Sequence, residues 1–115
     1  RRLKLSGLKI ESFVQTTLTG GGYNAVWSLA FGHTAVSLAT TETATSKSAR
    51  RIALGCQSVA SAAAALTALP TVQYQFVNPI YINPGEFVAL VKKKVGTAPS
   101  AGVIAHIITM DYSWE

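Results

Sequence analysis

Apolar and polar residues alternate along most of this chain, which is the pattern of β-strands. Near its start, Leu3 and Leu5, and then Leu8 and Ile10, alternate with polar residues, and Gly7 changes the phase between the two pairs. A phase change at a glycine is typical of a β-bulge. The first segment is therefore predicted to be an extended strand with a bulge or kink at Gly7.

Similar alternation recurs in short segments separated by turn residues. Asn78-Pro79 and Asn83-Pro84-Gly85 are turn signals on either side of a short apolar segment. The segments predicted as further strands are residues 27–31, 35–39, 50–58, 72–76, 80–82, 87–94 and 103–114. About eight short strands without a helical half predict an all-β fold, a two-sheet antiparallel sandwich of jelly-roll or Greek-key type.

Three segments need separate predictions. Residues 60–69 are rich in alanine and end before Pro70, which favours either one helical turn or an irregular excursion within a β protein. Residues 40–48 are small and polar, and they predict a surface loop. Cys56 alternates with Ile52 and Leu54, so we expect a buried thiol that packs as a small hydrophobic residue. As the only cysteine, it excludes an internal disulfide.

Composition adds that the chain has little charged surface. Charged residues make up 13% of its 115 residues, against about 25% in an average soluble domain. No Asp, Glu, Lys or Arg occurs in residues 12–41 or 52–85. The length predicts a single domain over residues 1–115, and the 49% hydrophobic content leaves apolar surface for a partner. Because the chain begins with Arg1 rather than Met, we expect that an N-terminal segment of the full protein precedes it.

Candidate catalytic residues are few. The five carboxylates form no local pair, and the two histidines, His33 and His106, lie far apart without a metal-binding motif. We therefore predict no enzymatic activity, no metal and no cofactor. His106 lies in an apolar strand and is expected to be a satisfied core or interface histidine. Asp111, in the same strand, is expected to face an edge, a partner or water, because an unpaired buried carboxylate is costly.

The net charge is +5, and most of the basic residues lie in three groups: residues 1–4, Arg50-Arg51 and Lys92-Lys93-Lys94. In a regular strand Lys92 and Lys94 share one face and Lys93 lies on the other. Two interpretations remain open, a solvated strand end that protects a sheet edge and salt bridges to a neighbouring subunit. Nucleic acid is not expected, because aromatic residues are not interleaved with the basic ones, and neither is a membrane. The predicted interface residues are Arg50, Arg51, Lys92, Lys93, Lys94, Asp111 and Trp114.

Three segments carry a family resemblance. Residues 47–55 (KSARRIALG), residues 83–92 (NPGEFVALVK) and the terminal YSWE of residues 112–115 resemble parts of small structural proteins of tailed bacteriophages. In style the chain is similar to the β-sandwich proteins that cement or decorate phage capsids. The resemblance extends over residues 3–115, although its motifs are generic: Asn-Pro-Gly-Glu is a turn that leads into a strand.

The resemblance implies a non-enzymatic virion subunit. Such a protein forms homo-oligomers, often trimers, and stabilises the particle by contacts with the major capsid protein or other virion proteins. The composition agrees, since permanent interfaces are more hydrophobic than transient ones. An alternative on the same fold is a carbohydrate- or receptor-binding module of a phage tail or surface protein, which would expose tryptophan or tyrosine in a groove. A row of aromatics at strand spacing is more often core.

Overall fold

The structure, a computed structural model, describes residues 1–33 and 51–115. These residues contain six β-strands. In chain order they are β1 (Leu3–Thr19), β2 (Gly22–His33), β3 (Arg51–Val59), β4 (Val72–Ile82), β5 (Phe87–Thr97) and β6 (Ala101–Trp114). The described residues contain no helix. The predicted all-β class is thus confirmed.

The strands make two antiparallel sheets of three strands each. One sheet has the order β4-β1-β6 and the other β3-β2-β5, so the first two strands are the central ones. Strands β3 and β4 contact each other at one side of the sandwich. On the opposite side lie the edge strands β5 and β6, which pack much less closely, and this is the open side of the sandwich.

The number of strands differs from the prediction for two reasons. The predicted strand at residues 35–39, the loop at 40–48 and Arg50 lie outside the described residues. The predicted turn at Asn78-Pro79 is wrong, because β4 continues through it. Its pairing with β1 steps from Leu5↔Ile80 to Gly7↔Gln75, so the intervening residues bulge. An edge strand accepts a proline there because no neighbour needs its missing N–H.

The bulge predicted at Gly7 is confirmed. The pairing of β1 with both of its neighbours shifts register between Leu5 and Gly7. A Cβ added at Gly7 would lie 2.8 Å from Oε1 of Gln75, but this atom is the end of an exposed, flexible side chain, so it is the register shift rather than crowding that marks the position. The shift returns Leu5 and Leu8 to the same buried face, which accounts for the phase change in the sequence.

The alanine-rich segment between β3 and β4 is irregular rather than helical. Ala62 and Leu66 have positive φ angles of 53° and 68°, which a helical turn does not allow. Its backbone bonds to β1 instead: Val14 N–H donates to the Thr67 carbonyl, and Leu18 N–H to the Ala63 carbonyl, both at 2.9 Å. The segment thus takes the place of a strand beside the second half of β1, where β4 no longer pairs.

Two apolar clusters fill the space between the sheets. The larger contains ten buried residues, among them Ile10 and Trp27, and the smaller contains seven, among them Val14 and Ala25. In β1 the residue between Ile10 and Val14 on the buried face is Ser12, which is itself buried. A polar layer therefore interrupts the core at this level of the sandwich.

A second bulge corrects the prediction for Cys56. The pairing of β2 with β3 steps from Trp27↔Gly55 to Ser28↔Ala53, and Gly55 has a φ of 145°. The extra residue reverses the alternation of β3 beyond it. As a result Gln57 points inward and is fully buried, whereas Cys56 is exposed.

We predict that Cys56 reacts readily with a thiol reagent in the native protein. Its exposed position after the bulge leaves the sulfur accessible without unfolding. The measurement is the rate of reaction with Ellman's reagent in buffer, compared with the rate in denaturant. A thiol that reacts only after denaturation would contradict the register shift of β3 at Gly55.

Candidate functional site

A buried glutamine connects the two sheets through polar side chains. Gln57 of β3 accepts a hydrogen bond from Trp27 Nε1–H at 3.0 Å. Its amide nitrogen donates to Ser12 Oγ at 3.1 Å and to the Pro70 carbonyl at 2.8 Å. Both amide hydrogens and the amide oxygen are thus used, which offsets the cost of burying the group. Ser12 belongs to one sheet, and Trp27 and Gln57 belong to the other.

The same network continues to the open side through His106 of β6. Its Nδ1 lies 2.6 Å from Ser12 Oγ, and its Nε2 lies 3.2 Å from Nζ of Lys92 in β5. The His106 ring also packs edge-on against Trp27, with 5.0 Å between ring centroids. His106 therefore has a partner at each ring nitrogen, as expected for a satisfied histidine.

The charge on Lys92 determines the tautomer of His106. An ammonium group only donates, so His106 Nε2 must accept the bond from Lys92, and the ring proton lies on Nδ1. Nδ1–H then donates to Ser12 Oγ, which accepts a second bond from Gln57. Lys92 Nζ finds an acceptor on His106 Nε2 only while His106 is neutral.

Burial and charge shift the pKa values of both groups in the same direction. Burial lowers the pKa of His106 below its usual value, and the positive charge of Lys92 lowers it further. Burial also lowers the pKa of Lys92, with repulsion from Lys94 as the second cause. Both lowered pKa values mean that positive charge is disfavoured where His106 and Lys92 meet.

Ser12 and His106 have the spacing of a nucleophile and its base, but their surroundings differ from those of a hydrolase. In a catalytic triad a carboxylate holds the second ring nitrogen and stabilises the protonated imidazole. Here Lys92 occupies that position and disfavours protonation. Ser12 is moreover buried between the sheets. The arrangement suits a cross-link between sheets, and the prediction of no enzymatic activity stays a prediction.

Those residues predicted as interface that the structure describes do not form one patch. Lys92 and Lys94 pair with Trp27 and Ala25 of β2, and Lys93 pairs with Val26, so the predicted division of the lysines between two faces is confirmed. Arg51 lies in β3, on the other side of β2 from the lysines.

Arg51 is a partly buried cation. Among the described residues it donates one hydrogen bond, from Nη1 to Ser28 Oγ at 3.4 Å, and its buried Nε and Nη2 have no partner there. Asp111 and Trp114 of β6 are both exposed. In the described part of the chain no carboxylate forms an ion pair with Arg51 or with the three lysines. The ion pairs there are Arg2–Glu115, Lys4–Glu115 and Lys9–Glu11.

Strand β6 exposes large apolar side chains on both faces. Ile108 and Met110 pair with Ile10 and Leu8 of β1 and so share their inward face, yet they remain exposed at the open side. Ile107, on the outward face, is 56% exposed. The expectation that the aromatic residues are core is therefore wrong for Tyr112 and Trp114, which are 60% and 55% exposed.

Trp114 borders a groove at one end of the sandwich, and Tyr112 lies beside it. Tyr112 and Trp114 contact each other edge to face at 6.4 Å, and the Arg1 guanidinium lies 5.7 Å from the Trp114 ring. The groove has a volume of about 420 Å³, and Phe87 and Glu86 form part of its wall.

Comparison with protein-family models, curated proteins and solved structures finds no match to this chain. Within residues 1–33 and 51–115, no three His, Cys, Asp or Glu side chains are grouped so that they could hold a metal ion. The same residues contain no helix long and apolar enough to cross a membrane. Inferences about function therefore rest on the geometry described above and on the resemblance of the sequence.

We predict that Gln57→Leu destabilises the protein by about 2–4 kcal/mol. The leucine removes three hydrogen bonds and leaves Trp27 Nε1 and the Pro70 carbonyl without their partner, and each such loss costs about 1–3 kcal/mol. The measurement is the free energy of unfolding in urea. Ser58→Ala, at the exposed neighbouring position, is the control and should change it by less than about 0.5 kcal/mol. Equal stability of the two variants would contradict a structural role for the network.

A second prediction concerns how the free energy of unfolding changes as the pH falls. Since the pKa of His106 is lowered from 6.5 in the folded protein, the unfolded chain takes up this proton first as the pH falls. The free energy of unfolding should therefore decrease from about pH 6.5 down to the folded pKa. The measurements are urea unfolding against pH and the NMR titration of His106 Cε1–H. In Lys92→Met, which removes the adjacent charge, the His106 pKa should rise; no change, or a wild-type value at or above 6.5, would contradict the assignment.

Proposed function

We propose that this chain is a non-enzymatic virion structural protein, a capsid cement, decoration or other capsid-associated subunit that works through homo-oligomeric contacts. The observation that carries the proposal is strand β6, an edge strand of 14 residues with exposed apolar side chains on both faces. The virion assignment itself is supported by the resemblance to small phage structural proteins. The connectivity, in which the chain changes sheet between most consecutive strands, supports a fold of Greek-key or jelly-roll type.

Strand β6 lacks the features that protect sheet edges. Free edges usually carry lysine, proline or a bulge, which prevents pairing with another chain. Edge strand β5 has three lysines, and edge strand β4 has Pro79 and its bulge. Asp111 is the one side chain of β6 that is charged at neutral pH when His106 is neutral. An edge strand with this composition is suited to being covered by another chain.

The occupant that fits best is a second copy of the chain. Two β6 strands that pair side by side bring together apolar residues, with one carboxylate on each strand, so little charge repulsion opposes them. Two β5 strands would instead bring six lysines together. An antiparallel β6–β6 contact gives a two-fold interface, whereas the trimer favoured by the resemblance needs a head-to-tail contact of β6 with another surface of the next copy. The molar mass in solution distinguishes the two.

The other proposed partners are the major capsid protein or further virion proteins, in a particle where salt bridges from Arg50, Arg51 and Lys93 reach acidic neighbours. Lys93 suits this role because it lies on the outward face of β5 without an ion pair in the described part of the chain. Nucleic acid is not among the proposed ligands. Tyr23 and Trp27, the aromatic rings nearest Lys92 and Lys94, are buried and hence not free to stack on bases.

One observation favours a second candidate function, the carbohydrate- or receptor-binding module. The exposed Tyr112 and Trp114 beside a groove are the arrangement that such a module needs, because sugars stack on accessible aromatic rings. The two functions make different demands on the same residues. Self-assembly through β6 buries both rings, whereas ligand binding needs them free in the working protein.

We expect the purified protein to be oligomeric at micromolar concentration and Ile107→Lys to shift it towards monomer. A lysine at this outward position of β6 would place an ammonium group in the apolar contact and raise the dissociation constant at least about tenfold, or roughly 1.4 kcal/mol. The measurement is sedimentation equilibrium. Val77→Lys, at a position of β4 that is 96% exposed, adds the same charge to another edge strand and should have no effect.

A wild-type protein that remains monomeric at high concentration would contradict assembly through β6. Tyr112 and Trp114 would then stay available, as the second candidate requires. Equal weakening by Val77→Lys would also count against β6, because it would trace the effect to net charge rather than to this strand.

A further inference from the structure

A second cavity of the open side is lined by two lysines. It lies between β5 and β6, has a volume of about 270 Å³, and includes Lys92 and Lys94 in its wall together with Tyr23 and Ile104. The two lysines pair with alternate residues of β2 and therefore point from β5 to the same side, into the space between the sheets. Two like charges that converge on one cavity favour an anion inside it.

Neighbouring side chains contact both of these ammonium groups. Lys92 Nζ donates to His106 Nε2 at 3.2 Å, and His106 is held in turn by the buried Ser12. Lys94 Nζ lies 5.3 Å from the centre of the Tyr23 ring. Such cation–π contacts hold a lysine in place without neutralising its charge. Both groups thus keep donors for a ligand.

No residue that lines the cavity is acidic. Its remaining wall is mostly apolar and includes Leu18, Val103 and Pro99. The charge of the two lysines is therefore not balanced from within the cavity. An apolar wall next to two cationic groups suits an anion with a short apolar stem better than a fully hydrated ion such as phosphate.

We propose that this cavity binds a carboxylate group carried on a short apolar stem, with Lys92 and Lys94 as the residues that recognise its charge. The carboxylate could belong to a small organic acid or to an acidic side chain of a docked second copy. The chemistry of recognition is the same in both cases. A volume of about 270 Å³ is several times the roughly 30 Å³ of one water molecule, so a carboxylate with a few carbon atoms fits. The cavity would bind it whether or not β6 pairs with another chain.

The test is an NMR titration with isovalerate, and with isovaleramide as a neutral compound of the same shape. We expect saturable chemical-shift changes at Lys92, Lys94 and Ile104 with isovalerate, with a dissociation constant of about 1 mM or below, and no saturable change with isovaleramide. Equal binding of the amide, or no saturation by isovalerate at about fifty times that concentration, would overturn the proposal.

Strand β5 provides its own matched control. Lys94→Gln should weaken isovalerate binding at least about tenfold, equivalent to roughly 1.4 kcal/mol. Lys93→Gln removes the same charge from the opposite face of the same strand and should change the affinity less than about twofold. Lys92→Gln is the second informative variant and should also weaken isovalerate binding. The NMR chemical shifts of Ile10 and Leu29 check that its core is intact. Equal weakening by Lys93→Gln would show that net charge rather than the cavity attracts the anion, and would overturn the proposal.

Sedimentation equilibrium separates the two sources of the carboxylate. If a second copy supplies it, Lys94→Gln weakens self-association and isovalerate competes with it. If the ligand is a free acid, neither affects self-association while the NMR titration still saturates. Both results support the cavity as a carboxylate site. Failure of the proposed assembly through β6 appears separately, as the absence of any effect of Ile107→Lys without isovalerate.

Discussion

The buried amide of Gln57 is the interaction on which the rest of the structure depends. It lies between the two apolar clusters and bonds to groups from both sheets, so it fixes how one sheet lies on the other. Apolar contacts are not directional and tolerate sliding, whereas the three hydrogen bonds of this amide are made in one alignment only. The Gly55 bulge is what turns Gln57 inward, and thus a backbone irregularity in an edge strand sets the register of the sandwich.

From this fixed layer the network leads outward in one direction. Ser12, His106 and Lys92 connect the amide to the open side, and the opposite side is closed by the contact of β3 with β4. The two sides of the sandwich therefore differ. One is closed by packed strands, and the other presents an unprotected strand, an aromatic groove and a cationic cavity. All three features that suggest binding lie on that side. A function in assembly and a carboxylate site are both consistent with this division.

The alternating pattern predicts the fold class and most strands, because the hydrophobic period is set by burial of one sheet face. It predicts the bulge at Gly7 for the same reason. It fails at Pro79, because a proline breaks a strand only where a neighbouring strand needs a backbone N–H from that position. Whether a strand lies at an edge cannot be read from the local sequence. It fails at Cys56 and Gln57 although a signal is present: the rule applied to Gly7, a glycine that reverses the phase, also applies to Gly55.

The exposure of Tyr112 and Trp114 is a different kind of failure. Both rings lie at strand spacing, and that spacing alone predicts core. Their exposure depends on β6 being an edge strand at the open side, which is a property of topology rather than of the local sequence. The groove beside them could therefore not be predicted before the order of the strands was known.

The pairing of β1 with β6 has a consequence for the order of events in folding. Leu3 lies opposite Trp114, so these two strands can meet only after the chain between them has been made and brought together. Long-range pairing of this kind is slow, since the entropy of closing a large loop must be overcome first. Until β6 pairs, the edge of the central strand β1 and the apolar side chains of β6 are both open to other chains, which leaves the folding chain exposed to aggregation. The strand that suits the native protein to assembly thus also makes its folding sensitive to protein concentration.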